Sequence, residues 1–224
     1  AIYQSCWLPA IRRIDSVVVN STPTRLLAID AGVRAGRINI VPPGVSLPAL
    51  PANDPAKRAF LERYILQGRR ILLSVGRLTS RKGLREFVLQ ALPQIVARHP
   101  DITLAVIGDV PGQALSAEAQ TPQCILDAAQ QVGVAGHVKM LGVVDDETLE
   151  AAFASSSVHV FPIRHVRGDP EGFGMVAIEA AAHGLPTVAF ATGGVVDAVA
   201  SGRSGLLVAP GDYPALAEAI SQVL

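Results

Sequence analysis

The segment GDPEGFGMVAIEAAAHGLPTV, residues 168–188, contains two glutamates whose spacing suits contact with an extended polar ligand. Glu171 lies in a turn rich in Gly and Pro, and Glu179 is the only acid in the apolar, small-residue helix predicted over residues 173–183. A buried carboxylate needs partners, because otherwise it takes up a proton. Two structural explanations compete with a functional one. In the first, the Glu179 carboxylate would form a salt bridge to a core Arg or Lys. In the second, Glu171 would be a helix-entry residue favoured by the helix dipole.

The turn at residues 171–174 leads directly into this helix, so the first backbone N–H groups of the helix, near residues 173–176, are predicted to be unpaired. Such a helix N-terminus attracts a phosphate or a sugar oxygen. Glu179 follows Gly174 by about 7.5 Å along the helix axis. Carboxylates accept hydrogen bonds well from vicinal diols. The two glutamates therefore match a nucleotide sugar, which carries hydroxyls on its sugar and on its ribose.

A basic loop follows the predicted strand RILLSVG, in the sequence RLTSRKG. Arg77 and Lys82 lie here, and Gly76 and Gly83 keep the backbone small. Two cations at one strand end suit a diphosphate, since Arg offers a planar fork and Lys a point charge. A P-loop is excluded, because it needs Gly-Lys-Ser/Thr at the helix start. The alternative is an ordinary solvated basic loop.

Other candidate positions are less specific. The turn after ITLAVIGD lets the backbone at Gly108 approach a ligand, or is an ordinary loop, and the G-x-G-x-x-G spacing is missing. Gly193-Gly194 follows the strand LPTVAFAT and is a candidate phosphate contact. Asp145-Asp146 resembles a metal-binding acidic pair, but the Asp just before ETLEAAF, Asp146, is better explained as a helix cap. The His residues show no ligand spacing, so no metal site is predicted.

Strands alternate with helices along most of the chain, and this alternation must position the candidate residues. IDSVVVNS (14–21) is a predicted strand, Thr22 caps a helix with Pro23 at its first position, INIVPPGV (38–45) is a second strand, and residues 46–56 form a proline-rich loop or linker. The later strands are 70–76, 102–109, 137–144, 158–163, 185–192 and 204–210, and the helices are 55–67, 82–98, 116–132, 146–156, 173–183, 194–200 and 213–224. This pattern predicts an α/β fold, a Rossmann-like parallel sheet covered by helices on both faces. Ligands of such sheets bind beyond the carboxyl ends of the strands.

Composition narrows the function classes. Half of the 224 residues are hydrophobic, and 19 basic residues balance 19 acidic ones, so a nucleic-acid partner is not expected. Cys6 and Cys124 match no metal or redox spacing, which favours a reducing compartment. No apolar stretch approaches the roughly 20 residues of a spanning helix. The chain starts without Met and stops inside a helical pattern, so we expect a piece of a longer protein.

These motifs together resemble the carboxyl-terminal, donor-binding half of retaining glycosyltransferases of family 4, which have the two-domain GT-B fold. The resemblance runs from about Asp15 to the end, and the glutamate pair with seven residues between is its most specific part. It is carried by VVVNS (17–21), INIVPPGV (38–45), SVGRLTSRKGL (74–84), VIGD (106–109), VKMLGVV (138–144), EGFGMVAIEAAAHGLPTVAFATGGVVDAV (171–199) and GRSGLLVAPGD (202–212).

The resemblance implies a role for each matching position. Arg77 and Lys82 would hold the donor diphosphate, and Glu171, with the backbone of Gly172, Phe173 and Gly174, would contact the transferred sugar. Glu179 would accept the ribose hydroxyls. The backbone of Lys139 and Met140 would receive the base, and the helix start at Gly174, Met175 and Val176 would receive the phosphate. Family members retain anomeric configuration and generally need no bound metal or other cofactor, and UDP or GDP would be the expected donor nucleotide.

The resemblance also predicts organisation and partners. Residues 1–40 would be the remnant of an amino-terminal acceptor domain and its linker, and residues 41–224 the donor-binding domain. The acceptor, a lipid-linked or cell-envelope glycan, would bind through the missing domain, and the full-length protein would be cytoplasmic, peripheral to the inner face of the membrane. Strand 14–21 would fold back on the donor domain or pair with a second copy. The alternatives are a non-catalytic nucleotide-sugar-binding module and a GT-B sugar-nucleotide epimerase.

Overall fold

A computed structural model describes residues 8–48, 53–110 and 119–224 of the chain. Its strands are β1 (Val17–Val19), β2 (Ile38–Ile40), β3 (Arg70–Val75), β4 (Ile102–Ile107), β5 (Val138–Gly142), β6 (Val158–Phe161), β7 (Thr187–Phe190) and β8 (Gly205–Val208). The last six form one sheet in the order β5-β4-β3-β6-β7-β8, and every neighbouring pair is parallel. The predicted parallel α/β sheet is therefore confirmed.

The helices lie between these strands. They are α1 (Leu8–Ile11), α2 (Thr22–Asp30), α3 (Asp54–Arg63), α4 (Leu84–Gln90), α5 (Leu92–Arg98), α6 (Pro122–Gln131), α7 (Asp146–Ser155), α8 (Met175–Ala182), α9 (Val195–Ala198) and α10 (Tyr213–Val223). A cap at the start of α7 is present, but it is Asp145 and not Asp146, since the Asp145 carboxylate accepts a hydrogen bond from the Thr148 N–H. The cap of α2 is Ser21 and not Thr22, since the Ser21 side chain accepts from the Thr24 N–H.

Two helices differ from their predicted bounds because of proline. The single helix predicted over residues 82–98 is two helices, α4 and α5, which meet at Ala91. Pro93 has no N–H to continue the hydrogen bonding of α4, but it fits the first turn of a new helix. The helix predicted over residues 116–132 begins at Pro122, with Thr121 as its cap. The first residues of that predicted helix, up to 118, lie outside the described part of the chain.

Both faces of the sheet are covered, because alternate residues of each strand point to opposite sides. Leu72 and Leu104 belong to the apolar cluster under α4, α5, α6 and α10. Leu73 and Ala105, one position further along, belong to the cluster under α3 and α7. The inner strand β4 is buried at every position, as expected of a strand covered on both sides.

The strand order places a topological switch point between β3 and β6. From β3 the chain continues to β4 on one side, whereas from β6 it continues to β7 on the other. The loops that leave the two strands therefore diverge and open a crevice at their carboxyl ends. These are the loop of residues 76–83 and the loop of residues 162–174, which contain the predicted cations and Glu171.

Residues 17–40 form a smaller unit beside this sheet. Strand β1 pairs in parallel with β2, with Val17 opposite Ile38, and α2 connects the two strands. Strand 14–21 thus finds its partner within the chain, in a separate two-stranded sheet. The unit contacts the larger domain, because the Thr22 N–H donates to the Asp197 carboxylate. Pairing of this strand with a second copy stays a prediction.

Candidate functional site

A cavity of about 580 Å³ lies at the switch point between β3 and β6. Residues 75–77 and 81–82 line one side of it, and residues 171–176 line the other. Phe161 borders it at the end of β6, and Asn20 and Pro43 reach the cavity from the part of the chain before β3. The predicted residues that border this one cavity are Arg77, Lys82, Glu171, Gly172, Phe173, Gly174, Met175 and Val176.

The basic loop and the Glu171 turn meet in a buried ion-pair cluster. Lys82 Nζ donates a hydrogen bond to Glu171 Oε2 at 2.9 Å, and Arg81 Nη1 donates to the same oxygen. Arg81 Nε lies 3.1 Å from Asp169 Oδ2, an ion pair without hydrogen-bond alignment. The side chains of Arg81 and Glu171 are only 8% and 12% exposed. These two loop charges, Arg81 and Lys82, are therefore not those of a solvated surface loop.

The environment of Lys82 disfavours its charge. Burial lowers the pKa of the Lys82 ammonium, and the nearby cations Arg81 and Arg77 lower it further, while Glu171 acts in the opposite direction. The ammonium also faces the Phe161 ring, 4.7 Å from its centroid, where the negative face of the ring attracts it. An anion bound beside Lys82 would stabilise its charged form further, as Glu171 and the Phe161 ring already do.

Arg77 differs from the other two cations. Its side chain is exposed, and no ion pair joins it to any residue of the described ranges 8–48, 53–110 and 119–224. It borders the cavity directly. A ligand can therefore approach its guanidinium without breaking an ion pair within those ranges.

The Glu171–Gly174 turn is held from behind by neighbouring backbone. The Gly194 N–H donates to the Glu171 carbonyl at 2.8 Å. A Cβ at Gly194 would lie 2.0 Å from the Gly172 carbonyl oxygen, so only glycine fits this approach. From the other side, the Ser21 hydroxyl donates to the same Gly172 oxygen at 2.6 Å. Gly193-Gly194 therefore supports the turn, which is a different role from the phosphate contact considered from the sequence.

Helix α8 begins at the cavity immediately after this turn. Gly174 is its N-cap in the left-handed region, at φ 96°, and no side chain of the described residues caps the helix. A Cβ at Gly174 would approach the Phe161 ring to 2.9 Å. The first N–H groups of α8, at Met175 and Val176, lack intrahelical acceptors and lie at the cavity wall. They can serve as donors to an anionic ligand.

Glu179 is half-buried on α8 and does not border the cavity of about 580 Å³. Within the described ranges its carboxylate forms no ion pair, which removes the support for the core salt bridge considered from the sequence. Burial raises the pKa of this carboxyl group, and the nearby His183 acts in the opposite direction. A ligand hydroxyl is a donor that would stabilise its charged form.

The remaining predicted residues do not line this cavity. Lys139 Nζ donates to the carbonyls of Tyr64 and Ile65, at 2.6 and 3.0 Å, and so caps the end of α3. Met140 packs against the apolar cluster under the neighbouring helices. Gly108 is required by packing, because a Cβ there would lie 2.0 Å from the Gly76 carbonyl oxygen. A backbone contact from Lys139, Met140 or Gly108 to a ligand stays a prediction.

Sequence reasoning did not single out Arg81, Asp169 or Asn20 as site residues. Arg81 stands next to Lys82 and Asp169 two positions before Glu171, so adjacency was the available signal. Asn20 has an amide nitrogen 3.1 Å from the Cβ position of Gly172, and its Oδ1 is buried with no hydrogen-bond partner among the described residues. Nothing in VVVNS indicates that its Asn reaches a turn about 150 residues later in the chain.

The fold and this site together define a class: a parallel α/β domain with a cation-lined crevice at its topological switch point. The family model described as "Glycosyl transferases group 1" matches residues 58–224. The chain therefore belongs to this glycosyltransferase family.

Curated relatives agree with this assignment. The GDP-mannose-dependent alpha-(1-6)-phosphatidylinositol monomannoside mannosyltransferase of Mycolicibacterium smegmatis is 33% identical over 222 residues, which cover 96% of this chain and 55% of the relative. The D-inositol 3-phosphate glycosyltransferase of Corynebacterium urealyticum is 30% identical, over 98% of this chain and 50% of the relative. The chain thus spans about half the length of these relatives.

Solved structures share the fold over nearly the whole chain. Anabaena HepE, crystallised in complex with UDP, superposes with a TM-score of 0.83 at 22% identity, over 98% of this chain and 57% of HepE. Sucrose-phosphate synthase from Thermosynechococcus elongatus gives a TM-score of 0.78 at 27% identity, over 98% and 51%. Across the described residues, none of the helices has the length and apolar character needed to cross a membrane.

Proposed function

We propose that this chain is the donor-binding part of a retaining glycosyltransferase of family 4, and that it binds a nucleoside-diphosphate sugar in the cavity between β3 and β6. One observation carries the proposal: cations of the basic loop, the Glu171 turn and the open N-terminus of α8 border a single cavity. Donors of this kind bind the diphosphate, and the carboxylate and turn backbone bind sugar hydroxyls.

Each residue has a role in this proposal. Arg77 and Lys82 bind the diphosphate, helped by the N–H groups of Met175 and Val176. Glu171 and the backbone of residues 172–174 contact the sugar. Glu179 accepts the ribose hydroxyls, which agrees with its lack of an ion-pair partner in the described ranges. The base contacts the backbone of β5 near Lys139 and Met140.

Sugar transfer in the full-length protein requires the diphosphate to depart from the anomeric carbon. Negative charge develops on the diphosphate during this departure, and Arg77, Lys82 and the α8 dipole stabilise that charge. Around Lys82, whose side chain is 16% exposed, little water screens these interactions, which strengthens them. We propose that this electrostatic stabilisation, without a bound metal ion, is the contribution of the donor-binding domain to catalysis.

The rest of the activity lies with segments outside residues 41–224. We propose that residues 1–40 are the end of an acceptor-binding domain, since Asn20 borders the cavity from that side. We propose that the acceptor is a lipid-linked or cell-envelope glycan and that the full-length protein acts in the cytoplasm, peripheral to the inner face of the membrane. The phosphatidylinositol monomannoside mannosyltransferase named above supports a lipid-linked acceptor. The other relative is named for D-inositol 3-phosphate, a small polar acceptor without a lipid, and does not add to that support.

Calorimetric titration of the chain with UDP, GDP and ADP, and then with their sugars, tests the proposal. We expect binding of UDP or GDP that survives addition of EDTA, and little sugar transfer by this chain when an acceptor is added. The matched control is Arg98→Ala. Arg98 of α5 forms an exposed ion pair with Glu218 of α10, and neither residue lines the cavity. Absence of binding to all three nucleotides and their sugars, or efficient transfer by the 224-residue chain, would contradict it.

A further inference from the structure

Arg81 is the most deeply buried of the three cations beside the cavity, and its contacts differ from those of its neighbours. Its guanidinium lies between two carboxylates, with Nε 3.1 Å from Asp169 and Nη1 bonded to Glu171. Its carbonyl accepts the Arg164 N–H at 2.8 Å. Arg81 thus joins the loop after β3 to the loop after β6 through both its side chain and its backbone.

Lys82 is bound to the same carboxylate but is less constrained. Its ammonium contacts Glu171 Oε2 at 2.9 Å, the oxygen that Arg81 also contacts. The Lys82 side chain is 16% exposed, twice the 8% of Arg81. Lys82 ends in a single charged group on a flexible stem, whereas a guanidinium fixed at two edges is geometrically locked.

A conflict arises when a diphosphate enters the cavity. Lys82 then has to serve the phosphate, yet Glu171 is only 12% exposed and a buried carboxylate without a cation is strongly unfavourable. If Lys82 were the sole partner of Glu171, Lys82 could contact phosphate only by breaking its ion pair with Glu171. With Arg81 in place, Glu171 keeps a bidentate-capable cation after Lys82 turns away.

We propose that Arg81, held by Asp169, is a positioning residue that keeps Glu171 charge-paired while Lys82 exchanges its contact with Glu171 for a contact with the bound diphosphate. This inference rests on the proposed diphosphate site. It assigns Arg81 no contact with the donor. Arg81 acts on binding only through Glu171 and Lys82, which makes its effect separable from that of a cation that touches phosphate.

A double-mutant cycle between Arg81→Met and Glu171→Gln isolates this coupling. The probes are inorganic pyrophosphate and GDP or UDP without sugar, so contacts from Glu171 to a sugar do not enter the result. In the chain with Arg81, Glu171→Gln should raise affinity by no more than about twofold. In the Arg81→Met background, Lys82 is the remaining partner of Glu171, and the same change should raise affinity by about tenfold, the scale of one charge-assisted hydrogen bond.

The size of the coupling separates this proposal from simpler ones. If Arg81 acts only through its distant positive charge, Glu171→Gln changes affinity by the same factor in both backgrounds, and the proposal is wrong. If Arg81 itself binds phosphate, affinity lost in Arg81→Met is not recovered in the double variant, which also overturns it. Arg164→Met is the control, since Arg164 is likewise paired with a glutamate, Glu86, at 3.0 Å, and should show no coupling to Glu171.

Asp169→Asn provides a second route that does not depend on the folding of Arg81→Met. It keeps the size of the side chain and loosens Arg81, so the same coupling to Glu171→Gln is expected at a smaller amplitude of about two- to threefold. If Glu171→Gln changes affinity by the same factor in the unaltered chain and in the Asp169→Asn background, the role of Asp169 in holding Arg81 is wrong.

The two probes also distinguish a failure of this inference from a failure of the proposed function. Binding of pyrophosphate with the expected coupling, but no binding of any nucleotide, would leave the inference standing and remove the proposed function. Binding of nucleotides without coupling would remove the inference alone. Binding of neither probe by the unaltered chain would overturn both.

Discussion

The ion pairs at the two ends of strand β3 differ in how far they are exposed to solvent. At the amino end, Arg70 donates two hydrogen bonds to Asp101, both at 2.6 Å, and the side chains are 34% and 43% exposed. At the carboxyl end, Arg81 and Lys82 share Glu171, and these side chains are 8–16% exposed. Basic and acidic side chains therefore form a solvated link at one edge of the sheet and a buried cluster at the other.

The charge balance of the two clusters explains the difference in their roles. The Arg70–Asp101 pair carries no net charge, because one cation contacts one carboxylate through two hydrogen bonds. Beside the cavity, Arg81 and Lys82 pair with the two carboxylates Asp169 and Glu171. The third cation of the basic loop, Arg77, has no ion-pair partner within the described ranges. The surplus positive charge lies at the carboxyl edge of the sheet, where ligands of this architecture bind.

The largest effect is expected from removing the cations that face the cavity. Arg77→Ala and Lys82→Ala should each weaken binding of GDP or UDP by about 1.5–3 kcal/mol, because each removes a hydrogen bond to a charged group. The fold should be retained, since both residues lie in a loop and Arg81 still pairs with Glu171. Titration calorimetry measures the affinity. Unchanged nucleotide affinity in both variants would show that the cations at the carboxyl edge of the sheet bind no diphosphate, like those at the amino edge.

Glu179→Gln should give the next largest effect. The amide keeps the size of the side chain and one acceptor oxygen, so nucleotide affinity should fall by about 1–2 kcal/mol through loss of a charge-assisted bond. Pyrophosphate affinity should stay constant, since that probe has no ribose. Because no ion pair holds Glu179 within the described ranges, the melting temperature should change little. A large fall in melting temperature with unaltered nucleotide affinity would contradict the ribose contact.

The pH dependence of binding should also distinguish the cavity from an ordinary surface site. Burial lowers the pKa of Lys82, so its ammonium loses its proton at a lower pH than the usual value of about 10.4. Nucleotide affinity should therefore fall as pH rises, starting below that value. Lys82→Arg, which keeps its charge, should flatten the profile. Calorimetry across alkaline pH measures this, and identical profiles for both proteins would show that Lys82 does not titrate in the bound site.

The smallest effect is expected at the opposite edge. Arg70 lowers the pKa of Asp101 to about 2 through its hydrogen bonds, so this pair contributes stability that is present above the usual carboxyl pKa of about 3.9 and is lost as pH falls toward 2. Asp101→Asn should lower the melting temperature slightly at neutral pH, no longer do so at the acid end of that range, and leave nucleotide affinity unchanged. A change in nucleotide affinity would show that the two ends of β3 are coupled.

Much of the fold follows from local patterns. Each apolar run from RILLSV to GLLV is a strand of the sheet. The inner strands β3, β4, β6 and β7 are buried on both faces, as continuous aliphatic segments between helices predict, whereas the edge strands β5 and β8 are only partly buried. The break between α4 and α5 and the start of α6 were also available from the sequence, since Pro93 and Pro122 mark helix starts. The apolar periodicity continues across these boundaries, so by itself it predicts longer helices.

The site was predictable only in part, since its residues come from distant loops. The structure brings Gly172, Gly174, the basic loop and Glu171 to one cavity, as their candidate positions at one sheet edge predict. Gly108 and Gly193-Gly194 do not line it. The different environments of Arg77, Arg81 and Lys82 were not predictable, because three cations of one short loop look alike in sequence. Their exposure depends on which of them meets Asp169 and Glu171.

The sequence by itself determined the alternation of strands and helices, the caps at Asp145 and Thr121, and the accumulation of Gly and charge after β3 and β6, because these depend on neighbours within a few residues. Tertiary structure alone decided that Arg81 pairs with Glu171, 90 positions away, and that Ser21 supports the Gly172 turn. Such contacts arise when the strand order brings loops together, and a buried charge then takes whichever partner the packing supplies.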